Sequence, residues 1–576
     1  MMWRGVLVSV CCLQALGASA AQFVASPPLT QVVSTPVGNV APGPVQVPLI
    51  TWGGDIATIL ANGNSATTAP ASAFGRAGLN VKLVRQDVFA KQLEDYLAGR
   101  SPYLRGTLGM VNMAAELASR DARTRPVVVQ QLTWSAGGDA LVVTGAIKSA
   151  RDLKGKTVAL QAYGPHVDYM AKILADAGLA PKDVTIKWVS DLTGSKNTPA
   201  AALRDNGVDA AFVITPDALA LTSNGTMGTG AEDSVRGARI LLTTKSASRI
   251  IADVYAVRAD FLQARRAEVE KFAAALTQAQ EDLRTLVAAK PQRAAEYKAT
   301  FTAAAQLLLD SPQAVADAEG LHGDAEFVRL AGNVDFFARD KNPRSFATLT
   351  REIQSAFVPL GLLTKSLPLE AVKWDYARFG QGGAAAQAAA VAESPTAPAP
   401  RFDPQAVAGV VAQRQAQGKL GEGELFSFEV LFKPNQDKFP AEQYTEAFKR
   451  VLNLASTYAG AIITVEGHSD PLGYLQAKKA GSPEVVLGRT AQSARNLSLS
   501  RAVAVRESVI AYARSQGVAL DPSQFAVLGH GIQQPKTGVC GSDPCAPKTE
   551  QEWLSNMRVQ FRLVQVEAEA SAFKPI

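Results

Sequence analysis

The sequence predicts an α/β protein of two lobes built on open, mostly parallel sheets, followed by a small α+β module of β-α-β-α-β-β order. Three observations carry this. From residue 48 to about 258, short apolar runs alternate with helical stretches, the pattern of repeated βαβ units. A late strand-like run, Ile250–Arg258, returns after the second series, as a chain crossing twice between two lobes requires. After about residue 424 the pattern becomes alternating aromatic strands and amphipathic helices.

Composition agrees. The chain has 576 residues, too many for one core, and its 47% hydrophobic content is enough for several. A net charge of +6 over this length, with no basic cluster interleaved with aromatics, excludes a strongly basic nucleic-acid binder; no nucleic-acid partner is expected. The four Cys and four His form no HExxH and no paired C-x-x-C, so neither a metal site nor a cofactor is expected.

Residues 1–21 read as an export signal. Arg4 supplies the positive charge, Val6–Leu16 the short apolar stretch, and Ala18-Ser19-Ala20 the cleavage pattern, with the cut after Ala20 or Ala21. An uncleaved anchor is the alternative. Residues 22–47, rich in Pro, Val and Ser, read as an extended tether. The two-lobed module spans 48–378. Strands are expected at Pro48–Trp52, Leu79–Val84, Leu108–Val111, Pro126–Gln130 and Ala140–Thr144, with a helix through Ile56–Leu60 and another over Gln92–Ala98. The second lobe, about 147–248, holds strands at Thr157–Gln161, Thr185–Val189 and Ala210–Ile214 around helices Val167–Ala177 and Ala200–Asp205. The crossings are expected near Gly137–Gly145 and Ser248–Tyr255, and long Ala-rich helices from Ala259 to about Leu309.

Residues 379–420, dominated by Ala, Gly and Pro, read as a linker. The small module spans 421–566, with a tail at 567–576. Phe426, Phe428, Val430 and Phe432 alternate along its first strand, and Phe448, Val451, Leu452, Ala455 and Tyr458 fall at helical spacing. Export brings an oxidising compartment, so Cys540 and Cys545 form a disulfide or remain two free thiols.

In open α/β sheets ligands sit beyond the carboxyl ends of the strands, where helix N-termini offer unpaired N–H groups. The candidates there are Trp52, Gly53, Asp55, Arg85, Asn112, Tyr163, His166, Thr215 and Asp217, with Gln86, Asp87, Gly164 and Asp191 beside them. Trp52 and Tyr163 suit an apolar or planar ligand, and Arg85 an anion. Trp52 serves equally as core packing; Asp55, Asp217 and His166 serve equally as caps.

The segments Ile50–Gly54 (ITWGG), Ala150–Ala159 (ARDLKGKTVA), Ile173–Leu179 (ILADAGL), Asp183–Thr185 and Asn206–Ala211 (NGVDAA) resemble the periplasmic substrate-binding proteins of ABC transporters, in the group receiving sulfonates, nitrate or thiamine precursors. The resemblance covers about 48–375. It implies a type II-like periplasmic-binding-protein fold, a small polar or anionic solute and an ABC permease as partner. Some relatives of that fold are enzymes, but no Ser-His-Asp order, His-rich cluster or Gly-rich phosphate loop supports catalysis, so no catalytic residue is expected.

Gly467–Asp470 (GHSD), Leu497–Val505 (LSLSRAVAV), Gly529–Gly531 with Pro535, and Asn556–Val559 resemble the OmpA-like peptidoglycan-binding domain. The resemblance implies peptidoglycan as partner: Asp470 receives the ammonium and Arg501 the carboxylate of the diaminopimelate in the stem peptide, each standing where a strand or loop meets a helix start. Asn556 and Arg558 support the site or only cap a strand. Asp470 and Arg501 pairing with each other is the alternative. The sequence departs from that family in an apparent inserted loop at 471–496, and in having Ala494 and Met557 where Asn and Arg are usual. Together the resemblances imply a periplasmic receptor of a Gram-negative bacterium, associated with peptidoglycan or the inner face of the outer membrane. A structural envelope protein that binds another protein is the rival.

Overall fold

The computed structural model describes residues 20–145, 147–205, 207–231, 233–379, 401–417, 424–432, 441–540 and 543–564. The leader (apart from its last two residues), most of the expected linker and the tail lie outside the described residues.

The first lobe opens with β1 (Val45–Leu49), α1 (Asp55–Ala61), α2 (Ala73–Arg76), β2 (Val81–Arg85), α3 (Phe89–Leu97), β3 (Tyr103–Thr107), α4 (Leu108–Ala118) and β4 (Pro126–Ser135). β1 pairs β2 in parallel, with Pro48 inside the strand. Proline is tolerated because β1 ladders with β2 alone. The strand expected at Leu108–Val111 is instead the first turn of α4. Thr107 ends β3 and caps the helix, its Oγ1 accepting from the Met110 amide at 3.2 Å.

The chain then enters the second lobe: β5 (Asp139–Val143), β6 (Thr157–Gln161), α5 (His166–Asp176), β7 (Thr185–Val189), α6 (Pro199–Arg204), β8 (Ala210–Ile214), α7 (Thr215–Leu221) and β9 (Arg239–Thr243). Its sheet runs β7-β6-β8-β5-β9, parallel at β7-β6-β8 and antiparallel around β5. The return is β10 (Ala252–Arg258), followed by α8 (Ala259–Ala264), α9 (Arg266–Ala288), α10 (Ala294–Leu309), α11 (Val315–Gly323), β11 (Ala325–Phe327), α12 (Arg329–Ala338), α13 (Phe346–Phe357) and β12 (Glu370–Ala371). The first-lobe sheet runs β11-β4-β10-β3, with β12 on β4. Phe272 of α9 closes its core, stacking on Phe74 at 5.1 Å and against Tyr103 at 4.9 Å.

The crossings are residues 136–138 and 244–251, and they are bonded to each other. Thr244 Oγ1 accepts from the Gly137 and Asp139 amides at 3.0 and 3.1 Å, and Ser135 Oγ lies 2.9 Å from it.

The segment expected to be a tether is packed along both lobes. On the second, the Val24 amide donates to Trp188 O at 2.9 Å and Phe23 lies beneath the Lys187 ammonium. On the first, Leu29 and Val33 are buried and the Gly38 amide donates to Leu97 O. Its scattered Val and Leu are anchors without periodicity, which is why the sequence reads as extended.

The small module comprises α14 (Pro404–Ala416), β13 (Glu424–Leu431), α15 (Thr445–Thr457), β14 (Ile462–His468), α16 (Leu472–Lys479), α17 (Glu484–Ser515), β15 (Phe525–Gly531), β16 (Val539–Cys540), β17 (Asp543–Pro544), α18 (Glu550–Asn556) and β18 (Arg558–Val564). Its sheet runs β13-β18-β14-β15, with β14 and β15 parallel. α14 lies within the expected linker: Asp403 caps it, and Val407 and Val411 pack with Phe402 and Ile462. The expected loop at 471–496 is helical, forming α16 and the first half of the 32-residue α17. Cys540 and Cys545 are joined by a disulfide. Among the described residues no helix is long and apolar enough to cross a membrane.

Candidate functional site

The strand ends of the two lobes meet along a seam beside the crossings. Trp52 lies against the crossing: a Cβ added at Gly138 would sit 2.5 Å from its ring. Its indole N–H donates to Thr133 Oγ1 at 2.9 Å, and Thr133 donates to Asp253 Oδ2 at 2.9 Å. Asp253 accepts from Arg105 at 2.9 Å, and Arg105 also donates to Asp55 at 3.0 Å. A single polar chain thus links Trp52 at the seam, through Thr133, Asp253 and Arg105, to Asp55 at the start of α1. Arg105 and Asp55 are 0% exposed, and burial raises the Asp55 carboxyl to about 6 against the pull of Arg105.

Four residues expected at a ligand are engaged by other parts of the chain. Asp55 belongs to that ion pair. Arg85 is held by Asp310, Asp87 and Leu308 O rather than left for an anion. Asn112 sits on α4, not at a strand end; it is buried, donating to Leu108 O and accepting from Gln354. His166 is buried, 2.7 Å from Asp139 Oδ1. Each correction has one cause: these polar groups face a neighbouring element that the local pattern does not announce.

Trp52, Tyr163, Thr215 and Asp217 remain partly accessible. Thr215 Oγ1 donates to Gly137 O at the first crossing. Tyr163 holds a positive φ of 58°, rare for an aromatic residue, and donates to Pro27 O at 2.6 Å. Burial first, then the Asp139 charge, raises the neighbouring Asp324 carboxyl to about 6.

Other segments cover the seam. Gly53 is buried against Leu321 O, and Thr51 donates to Leu308 O. The lobes also touch directly: a Cβ at Gly109, in the first turn of α4, would lie 2.9 Å from the Asp168 carboxyl carbon on α5. Asp168 is 4% exposed, its Oδ2 has no partner, and burial raises it to about 7. Two cavities flank these elements. The larger, about 770 Å³, lies between the first lobe and the small module and is lined by Trp134, Gln280, Arg284 and Leu520; the other, about 490 Å³, lies between α5 and α13.

In the small module, Asp470 follows β14 and is half-buried. Its oxygens accept from the Leu472 amide at 2.7 Å and Asn556 Nδ2 at 3.0 Å, and burial raises its pKa. Asn556, fully buried, also accepts from the Lys536 and Thr537 amides. Arg558 is buried beside Glu429 and Gln534 O. Arg501 does not stand at a helix start: α17 begins at Glu484, so Arg501 lies mid-helix, 4% exposed and engaged within the chain.

Sequence motifs gave no sign of one cluster. Glu466, His468 and His530 bring ligand-type atoms within 4.8 Å of one another, all buried. Glu466 and His468, two apart on one strand, share a face, which was the available signal. Glu466 is already bonded by Thr464 at 2.6 Å, Arg562 at 3.0 Å and His530 at 3.1 Å. A cation would have to displace His530 and sit beside Arg562, so the cluster reads as an ionic core. Burial, then the Arg558 and His530 charges, push His468 down to about 3. A histidine held below its ordinary 6.5 resists the proton that the unfolded chain accepts. The stability of the small module is therefore expected to fall as pH drops from about 6.5 towards 3, and His468→Gln is expected to flatten that slope; urea midpoints at pH 7 and pH 5 measure it.

Residues 106–294 match a family model described as NMT1/THI5 like. Among solved structures, the chain is similar to the periplasmic aliphatic sulphonate binding protein SsuA from Escherichia coli (16% identity over 58% of this chain and 95% of that one, TM-score 0.38). It is similar also to the periplasmic nitrate-binding protein NrtA from Synechocystis PCC 6803 (13%, 47% and 67%, TM-score 0.31) and to the desulfurization enzyme DSZB (15%, 60% and 99%, TM-score 0.34). No curated protein matches the chain. Identities this low carry no residue's role across.

Proposed function

We propose that the chain is a periplasmic solute receptor of a Gram-negative bacterium that is held to peptidoglycan. Its two lobes close on a small polar or anionic solute destined for an ABC permease, and its small module takes the diaminopimelate of a stem peptide. One observation carries the receptor half. Two α/β sheets are joined by two crossings bonded together at Thr244, the arrangement in which one hinge rotation opens a cleft at the strand ends. The matched stretch 106–294, which spans both crossings, supports it. In this reading the cleft would open beside Trp52, Tyr163, Thr215 and Asp217, which are partly accessible, with Gly53 buried next to Trp52. The disulfide supports an exported chain.

For the wall-binding half, Asp470 is the accessible anion, positioned by Asn556. In this reading Arg501, buried in α17, takes the carboxylate with Arg558 in support; the half-exposed Asp470 holding the ammonium yields only about 0–1 kcal/mol by itself, so retention on the wall needs many stems. Thermal shift across sulfonates, nitrate and amino-pyrimidines is expected to give a stabilising ligand; no shift with any small polar compound would sink the receptor half. In pull-down on purified sacculi, Asp470→Ala is expected to lose retention, and equal retention would contradict the site.

A second reading is favoured by the cover over Thr51 and Gly53 and by the internal partners of Arg85 and Asn112. In it the receptor-like module has lost its solute and binds a protein in the envelope. That reading expects no solute shift and sacculus retention intact.

A further inference from the structure

The small module is bonded to both lobes at once. On the second lobe, Tyr458 Oη donates to Asp176 at 2.9 Å, and Lys172 bridges Asp176 at 2.6 Å and Asn453 at 2.9 Å. On the second crossing, the Gly460 amide donates to Ser246 O at 3.2 Å and the Arg249 amide to Thr457 O at 3.1 Å. On the first lobe, Arg401 donates to Glu326 of β11 at 2.6 Å. Glu326 also accepts from both terminal guanidinium nitrogens of Arg249, so the crossing, the first lobe and the small module share one partly buried carboxylate.

The fit at the crossing is close. A Cβ added at Gly460 would run into the Lys245 carbonyl, a backbone atom that cannot swing aside. Tyr458 and Thr457 are 0% exposed, and Tyr458 packs on Phe426 at 5.2 Å. Asp176 and Glu326 belong to different lobes, so rotation about the crossings changes the distance between them. One rigid module holds both, and such a rotation must break one set of bonds.

We propose that the small module is a brace across the hinge: seated, it fixes the angle between the lobes, and unseated, it lets them part. The proposal rests on the two-lobed hinge of the preceding section and on no ligand. It also separates the module's two tasks in space. Gly460 precedes β14 and Asp470 follows it, about 20 Å apart along a seven-residue strand. A stem peptide at Asp470 therefore need not disturb the seat.

Spin labels at the exposed positions Lys82 and Lys154, one on each lobe, read the hinge directly in the full chain by pulsed dipolar spectroscopy. Gly460→Val is expected to lengthen and broaden the inter-lobe distance distribution relative to the parent. A distribution matching the parent's in a folded Gly460→Val chain would overturn the brace. Should that variant fail to fold, Arg401→Gln with Asn453→Ala, which cuts ties without adding bulk, decides by the same readout. Neither solute nor sacculi enter the measurement. A shifted distribution without solute binding leaves the brace standing and the receptor reading fallen; an unchanged one with solute binding does the reverse.

Discussion

Arg105→Met is expected to cost the two-lobed module about 3–5 kcal/mol, read as a lower urea midpoint at an unchanged slope. Arg105 is 0% exposed and is bonded to Asp55 at 3.0 Å and Asp253 at 2.9 Å, the first following β1 and the second near the start of β10, just past the second crossing. Methionine would fill much of the space but leave two carboxylates facing each other without a counter-charge. Their only relief is to take up protons or admit water, so the loss should shrink as pH falls towards 4. Adding Asp253→Asn to Arg105→Met should recover part of the loss, because one uncompensated charge is then gone. A loss under about 1 kcal/mol would mean the triad is not what ties the return strand to the start of α1.

Asp168→Asn is expected to stabilise the chain at pH 8 and to change little at pH 4. The Asp168 carboxyl is buried at the seam, with Gly109 of α4 beside it and the Asp253 and Asp139 charges nearby, the latter paired with His166. Burial raises its pKa from 3.8 to about 7, so the folded chain holds the proton more tightly than the unfolded one. That stability is fully present below 3.8 and is lost as pH rises through about 7. At about 1.4 kcal/mol per unit, the upper limit at pH 8 is roughly 4 kcal/mol. Asparagine keeps the shape and cannot ionise, so thermal midpoints at the two pH values should converge in the variant. An Asp168→Asn chain whose midpoint keeps the parent's pH dependence would rule this out.

The order of strands and helices was legible because both sheets announce themselves in apolar runs such as Val127–Val129 and Leu141–Val143, buried on both faces. The crossings fell within a few residues of where Gly137 and the return of Ile250 placed them. Helical residues 484–498 were not legible as helix. Val485, Val486 and Leu497 are exposed there and only Leu487 and Ser498 are buried, so no buried stripe marks the period. The Gly481-Ser482-Pro483 break, which separates α16 from α17, looked instead like the middle of a loop. The surroundings of the candidate residues were legible unevenly for a related reason. Trp52, Thr215 and Asp470 sit at strand ends, where position alone exposes them. Asp55, Asn112 and His166 are defined by partners 50, 242 and 27 residues away, which no local pattern contains.

The packed N-terminal segment begins with the Ala21 nitrogen 2.7 Å from an Asp205 carboxylate oxygen and the Gln22 amide 3.0 Å from Asn197. Removal of the leader after Ala20, the earlier of the two cuts expected from the sequence, would turn that first amide into an α-ammonium and that contact into an ion pair. A chain end at Ala21 would thus find a prepared berth on the second lobe, while a cut one residue later would move the new charge to Gln22, beside the Asn197 side-chain oxygen.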